Sequence, residues 1–259
     1  MTSIIRTEFY KMKRYSVIWI GVATMFTVVL LARFMATASD GATHTLVNFS
    51  SSVIWNNLVL IYPATIALIA GYIIDRERTD DTLKNILTIP VSFRKMLIGK
   101  LIAVGCMAVA LSVIEFLFTL IVFFASGFPG FSIGGMVQVL FQMIGINMIS
   151  YIAVMPIIAF AARIPNGHMI GTIIAFVYGY GGMFASGDTM LANIYPVTAS
   201  LGLISYRSYD AAVHWNVLIC LLSMIVAWVM SAVFIFTTKG NVPVKIAKKH
   251  KKTIAKKGW

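Results

Sequence analysis

The chain has 259 residues, of which 59% are hydrophobic and only 12% charged, and its mean hydropathy is +0.87. So apolar a make-up excludes an ordinary soluble globular domain. It predicts an all-α integral membrane protein, because backbone in lipid must satisfy its hydrogen bonds internally and helices do so within one segment.

Residues 1–15 come first and carry Arg6, Lys11, Lys13 and Arg14. Ile5, Phe9 and Met12 fall at helical spacing, so an interfacial amphipathic helix is expected there, with Ile5, Phe9 and Met12 toward lipid and Arg6, Lys13 and Arg14 toward head groups. Six apolar runs follow, each long enough to span a bilayer of roughly 30 Å at 1.5 Å per residue. They are Ser16 to Met35, Ser52 to Ile74, Met96 to Ala125, Ile133 to Ala162, His168 to Ala185 and Trp215 to Phe236. The first has no small-residue cleavage site and reads as a retained span, not a signal peptide. With six spans, nineteen of the 21 Lys and Arg residues fall on one side, and Arg33 and Arg207 lie near or in the opposite loops. Basic residues accumulate in cytoplasmic loops, so both termini are expected in the cytoplasm.

The segment DRERTDDTLKNILTIPVSFRKMLIGK, residues 75–100, holds ten of the thirty Asp, Glu, Lys and Arg side chains. Within it Thr79 suits an N-cap, Asp80 and Asp81 suit the positive end of a helix dipole, and Leu83, Ile86 and Leu87 share one helical face. Pro90 ends that helix, Ser92 can cap the next, and Arg94, Lys95 and Lys100 mark the return into the membrane. The result is a cytoplasmic hairpin over 75–95 whose short helix has a narrow apolar stripe among mixed charges. Four acids, Asp75, Glu77, Asp80 and Asp81, favour a groove on another protein over an anionic lipid surface.

Between the fifth and sixth runs, Thr189 to Tyr206 is 18 residues without a charge. Its Asn, Pro, Thr, Ser and Gly content suits lipid poorly, and a seventh crossing would put the basic tail outside. The stretch, within an outer segment 186–214, therefore reads as re-entrant or interfacial. The tail over 238–259 includes Lys248, Lys249, Lys251 and Lys252 directly after a span, a pattern that binds anionic lipid head groups and not nucleic acid. No stretch is long enough for a second domain, so 1–259 is one membrane domain.

The chain has no phosphate-binding loop, no H-E-x-x-H, no Cys/His cluster at metal spacing and no G-x-S-x-G. No catalytic residue, metal ligand or bound cofactor is assigned. Cys106 and Cys220 fall inside spans and read as packing residues. YGYGG, from Tyr178 to Gly182, reads as a close helix contact, with a flexible gate as the other reading.

In their order, the basic amphipathic start, first span, outer loop, second span and charged hairpin resemble the permease subunit of a type-2 ATP-binding-cassette exporter. The family pattern E-x-x-x-x-T-L-K-x-L-L-x-x-P-x-S-R-x-x-x-x-x-K is met by Glu77, Thr82, Leu83, Lys84, Pro90, Ser92 and Lys100, with Phe93 intervening before Arg94. The resemblance implies that Glu77, Thr79, Asp80, Asp81, Thr82, Leu83, Lys84, Ile86 and Leu87 form a coupling helix docked into a separate ATPase. That ATPase, a dimer, would bind ATP and Mg. It further implies a second permease chain, identical or related, and a re-entrant outer segment. RTEFYKMKR and the compact size are most similar to bacterial permeases that protect against lantibiotics, which implies an amphipathic peptide cargo at the cell membrane. Export of a drug, another peptide or a glycan, and a scaffold or sensor with a docking hairpin, are the alternatives.

Glu115 is the ionisable residue deepest in a span, where a charge costs at least about 2.5 kcal/mol without a partner or a wet cavity. Its expected partners are Asn147, Gln142 or Tyr178, either as a structural hydrogen bond or on a cargo pathway. Asn56 and Asn57 open the second run and are expected near the outer interface with Arg33, and together with Glu115, Asn147 and Tyr178 they are candidates for the cargo pathway or gating. Pro63 and Pro156 are expected kinks.

Overall fold

A computed structural model describes residues 2–12, 14–38, 44–79, 93–164, 166–208, 210 and 213–238. The described residues form helices α1 (Thr2–Met12), α2 (Val17–Met35) and α3 (Leu46–Asn56), then a π-helical turn (Asn57–Ile61) that runs into α4 (Tyr62–Thr79). After them come α5 (Phe93–Ala125), α6 (Ile133–Ala161), α7 (Gly167–Ala185), two short helices α8 (Thr189–Ile194) and α9 (Pro196–Leu203), and α10 (Val217–Thr237). Six of these are long and apolar enough to cross a membrane, with α3, the π turn and α4 counting as one span from Leu46 to Arg76. The protein is an all-helical, multi-pass membrane protein.

Five spans start and stop within three residues of the apolar runs. The second does not: Thr45 accepts a hydrogen bond from the Asn48 amide at 3.3 Å and starts the helix six residues ahead of Ser52. Its other end continues through Asp75 to Thr79, so Thr79 is helical within α4 and does not stand as an N-cap outside it. Residues 80–92, with Asp80, Asp81, Thr82, Leu83, Lys84, Ile86 and Leu87 of the expected coupling helix, lie outside the described residues. So do Lys13, the tail lysines, and the side chains of Ile5, Glu77 and Thr79.

The second span is the centre of the bundle. Against it lies α7, whose buried residues are all small: Gly167, Gly171, Ala175, Gly179, Gly182 and Ala185. A Cβ on Gly179 would stand 2.7 Å from Pro63 Cγ and 3.1 Å from the Val59 carbonyl oxygen, so only glycine allows this approach. Pro63 lacks an N–H, and the Val59 carbonyl at i−4 faces that contact instead. The YGYGG motif is thus a packing surface.

The stretch Thr189 to Tyr206 gives no seventh spanning helix. Its two short helices bury Thr198, Ala199 and Ser200 completely, against α6, α7 and α10. The Thr198 hydroxyl donates to the Ala192 carbonyl at 2.8 Å, and the Ser200 and Ser150 hydroxyls lie 3.5 Å apart. Polar groups that suit lipid poorly are satisfied here within protein.

We call the end of the bundle that carries α1 and Thr238 proximal, and the other end distal. Arginines cap the C-terminus of α10 at the proximal end: Arg94 Nε donates to the Thr238 carbonyl at 3.2 Å, and Arg163 Nη2 to the Phe234 carbonyl and the Thr237 hydroxyl. This places positive charge where the helix dipole and free carbonyls favour it. In α1, Phe9 is 39% exposed while Met12 is 2% exposed and joins the core, so Met12 faces protein rather than lipid, contrary to the expected stripe. Arg6 and Arg14 are exposed. Cys106 and Cys220 are both free thiols.

Candidate functional site

Polar side chains gather at three levels of the second span. The middle level brings together three of the residues singled out in the sequence. Glu115 on α5 is fully buried, and its Oε2 accepts from Asn147 Nδ2 of α6 at 2.7 Å. Asn147 Oδ1 accepts in turn from Asn57 Nδ2 at 3.1 Å, and the Asn147 backbone carbonyl accepts from the Tyr62 hydroxyl at 2.7 Å. One carboxyl, two amides and a phenol therefore tie the second, third and fourth spans together.

Asn57 was expected near the outer interface. It is 1% exposed, because the helix begins at Leu46 and carries Asn57 roughly 16 Å inward at 1.5 Å per residue. Asn57 is also the first residue of the π turn, whose signature is the Tyr62 amide bonding to the Asn57 carbonyl. The extra residue in that turn resets the helix face, so Asn57 and Tyr62 both reach Asn147. Among the described residues, two buried oxygens at this level have no partner: Asn57 Oδ1 and Glu115 Oε1.

Of the other expected partners, Gln142 donates to the Ile204 carbonyl at 3.3 Å. Tyr178 accepts on its backbone carbonyl from the Tyr195 hydroxyl at 2.6 Å, with the two rings 5.1 Å apart. Burial pushes the Tyr195 hydroxyl up to about 12, so it stays a donor near neutral pH.

At the distal level a cleft of about 370 Å³ opens between the second span, α8, α9 and the start of α10. Trp55, Asn56, Tyr206, Arg207, His214 and Trp215 line it. Its wall is braced: Tyr206 donates to the Ser51 carbonyl at 3.0 Å, and Trp215 Nε1 to the Tyr206 carbonyl at 2.9 Å. Asn56 bonds the Ser52 carbonyl of its own helix at 2.9 Å, and Arg33 bonds the Ser126 hydroxyl at 2.6 Å. Glu115 does not line this cleft.

The proximal level holds what sequence reasoning missed. Lys100 was expected at the membrane surface, yet it is 0% exposed: Nζ donates to Glu8 Oε2 of α1 at 3.1 Å and to the Ile73 carbonyl of α4 at 2.9 Å. Glu8, 3% exposed, also accepts from Lys11 at 3.2 Å. Asp75 was expected among the four acids of the hairpin that favour docking to another protein. It is 4% exposed and receives the His168 amide at 2.9 Å and His168 Nδ1 at 2.8 Å, so α4 supplies an anion to the N-terminus of α7. A signal for Lys100 was available in its position seven residues inside α5, and for Glu8 in its being the one acid of α1. Nothing local pairs them, since 92 residues separate the two.

The described part of the chain thus places a latched helix and the two helix ends that flank residues 80–92 in sequence at one end, and an aromatic cleft at the other. A family model described as ABC-2 family transporter protein matches residues 4–182, well over half of the chain. The chain belongs to the ABC-2 transporter family. No curated protein matches it. As an ABC-2 membrane component it is a transport subunit and works with an ATPase subunit. The match takes in α1 from residue 4 onward, the hairpin and all four side chains of the Glu115 cluster.

Proposed function

We propose that this chain is the permease subunit of an ATP-driven exporter in a bacterial cell membrane, and that its cargo is an amphipathic peptide of the lantibiotic type. Two such permeases, identical or related, would form the pathway, and an ATPase dimer carrying ATP and Mg would dock on the hairpin helix around Leu83. The proximal end is then cytoplasmic and the distal end external, in keeping with the distribution of Lys and Arg.

The observation that carries this reading is the Glu8–Lys100–Ile73 junction. It joins α1 to the two helices that flank residues 80–92, so a push on that segment reaches α1, the second span and the third span as one body. Through Asn57, Asn147 and Glu115 the same push reaches the fourth span. At the far end the second span contributes Trp55 and Asn56 to the cleft, whose aromatic walls and Arg207 suit a segment with apolar and polar sides. We further propose that α8 and α9 form a re-entrant element on the external side. The permease supplies differential binding of cargo in two states, and nucleotide closure selects between them.

Leu83→Asp tests the coupling. A buried carboxylate in the docking groove costs several kcal/mol without a partner, so the ATPase should no longer co-purify with an otherwise intact permease. Full ATPase retention together with wild-type peptide tolerance would overturn the assignment.

A further inference from the structure

A second cavity, of about 550 Å³, lies in the proximal half of the bundle between α5, α6 and α10. It is a groove open to the side, lined among others by Ile98, Val109, Tyr151, Met155, Trp228 and Phe236. Its two hydroxyls are already engaged: that of Tyr151 donates to the Leu101 carbonyl at 2.7 Å, and that of Ser231 to the Ala227 carbonyl at 2.8 Å. Small residues carve it, with Gly105, Cys106 and Ala232 on its floor and walls. An apolar groove of this kind on a spanning face suits an apolar occupant.

Its length and its mouth say what. From Ile98 to Val109 the groove follows α5 for roughly 16 Å at 1.5 Å per residue, about half of a 30 Å hydrocarbon core. That is the depth of one leaflet. One helical turn before Ile98 stands Arg94, exposed, with its Nε held by the Thr238 carbonyl next to Phe236. That bond uses only Nε and holds the guanidinium near the proximal end of the groove, two residues beyond its lining residue Phe236. A planar cation held in place suits a phosphate, and Lys95, also exposed, adds charge beside it.

We infer that this groove is a binding site for an acyl chain of an anionic phospholipid of the proximal leaflet, with the phosphate on Arg94. A second copy of the chain is the other occupant of an apolar groove, but the cation at its mouth and the single-leaflet depth favour a lipid. Occupancy would hold α5 and α10 at the separation the groove already shows, with Arg94 kept on the C-terminus of α10.

The test uses the full chain in nanodiscs with trace phosphatidylglycerol or phosphatidylcholine carrying a photoactivatable group in the acyl chain, followed by mass-spectrometric mapping of adducts. Adducts should concentrate on residues 98–109 and 148–155, with an about fivefold preference for phosphatidylglycerol, the size expected from one basic residue at an anionic surface. Arg94→Gln should abolish the preference, and Ala232→Phe, which fills the groove and leaves Arg94 in place, should remove the adducts themselves. Equal labelling by the two lipids in the wild type would overturn the phosphate assignment. Labelling unchanged by Ala232→Phe, or efficient Cys106 to Cys106 cross-linking between copies, would overturn the site.

Discussion

Replacing Lys100 by Met keeps the length and the apolar stem of the side chain and removes its charge. Glu8 then remains 3% exposed with only the half-exposed Lys11 for a partner, and the Ile73 carbonyl loses a donor. Removing one member of a buried pair costs about 3–5 kcal/mol, and Lys11 places this case at the lower end. About 3 kcal/mol is roughly two decades in the ratio of docked to undocked α1. Trypsin reads that ratio, because cleavage at Arg6 or Lys11 requires α1 to open locally. The Lys100→Met protein should therefore release its N-terminal fragment on the order of a hundred times faster than wild type in nanodiscs. Since a buried pair exchanged for apolar groups is often neutral, Glu8→Met combined with Lys100→Met should recover most of the protection. Wild-type cleavage in the single variant, or additive losses in the double, would show that the pair does not hold α1.

Glu115→Gln should leave assembly within about 1 kcal/mol of wild type, because its amide can donate to Asn57 Oδ1 while its carbonyl still accepts from Asn147. Glu115→Ala strands the Asn147 donor at a cost of about 1–3 kcal/mol, and thermal unfolding of the two variants in the same lipid checks the order. If Gln assembles normally yet loses cargo-stimulated ATP hydrolysis, the carboxyl acts in transport; retained turnover makes it a pin between helices. Gly179→Leu puts a side chain into Pro63 Cγ at 2.7 Å and should separate α7 from the second span, read as loss of folded protein in detergent, whereas Gly181→Ala, opposite the end of the Tyr195 side chain, should be far milder.

Much of this architecture was legible in the amino-acid sequence, for a simple reason. The length of an apolar run is set by the bilayer, so six spans and the exclusion of a seventh follow from hydropathy and from where Lys and Arg fall. Glu115 was legible as a buried carboxyl in need of a partner, with Asn147 one of three candidates beside Gln142 and Tyr178, because few groups at that depth can partner a carboxyl. Asn57 was not, because its depth depends on a helix start at Thr45, a cap that lies outside the apolar run. Lys100 and Asp75 were read as surface charges because positional rules treat charge near a span end as solvated. Both instead find partners 92 and 93 residues away, which only the packed structure specifies.

The second span is held along its whole length, and this constrains how it can move. Its most apolar window is 67% buried, against 28% for α7 and α10, so it is the enclosed helix around which the others stand. At the proximal end it is fastened by Lys100 on Ile73 and by Asp75 on His168, in the middle by Asn57 and Tyr62 on Asn147, and at the distal end by Tyr206 on Ser51. A rigid rod so fastened would have to break several buried bonds to shift. The π turn and Pro63 provide another way, because the i−4 ladder is already interrupted between Asn57 and Pro63. Bending there would swing the proximal half, with α1 attached through Glu8 and Lys100, while the Tyr206–Ser51 bond keeps the distal cleft wall packed. Gly179 lies opposite that bend and lets the backbone of α7 act as its support. On the function proposed above, the interrupted turn is the place where movement at the hairpin would be converted into a change of angle between the two halves of the bundle, at the level of the Glu115 cluster.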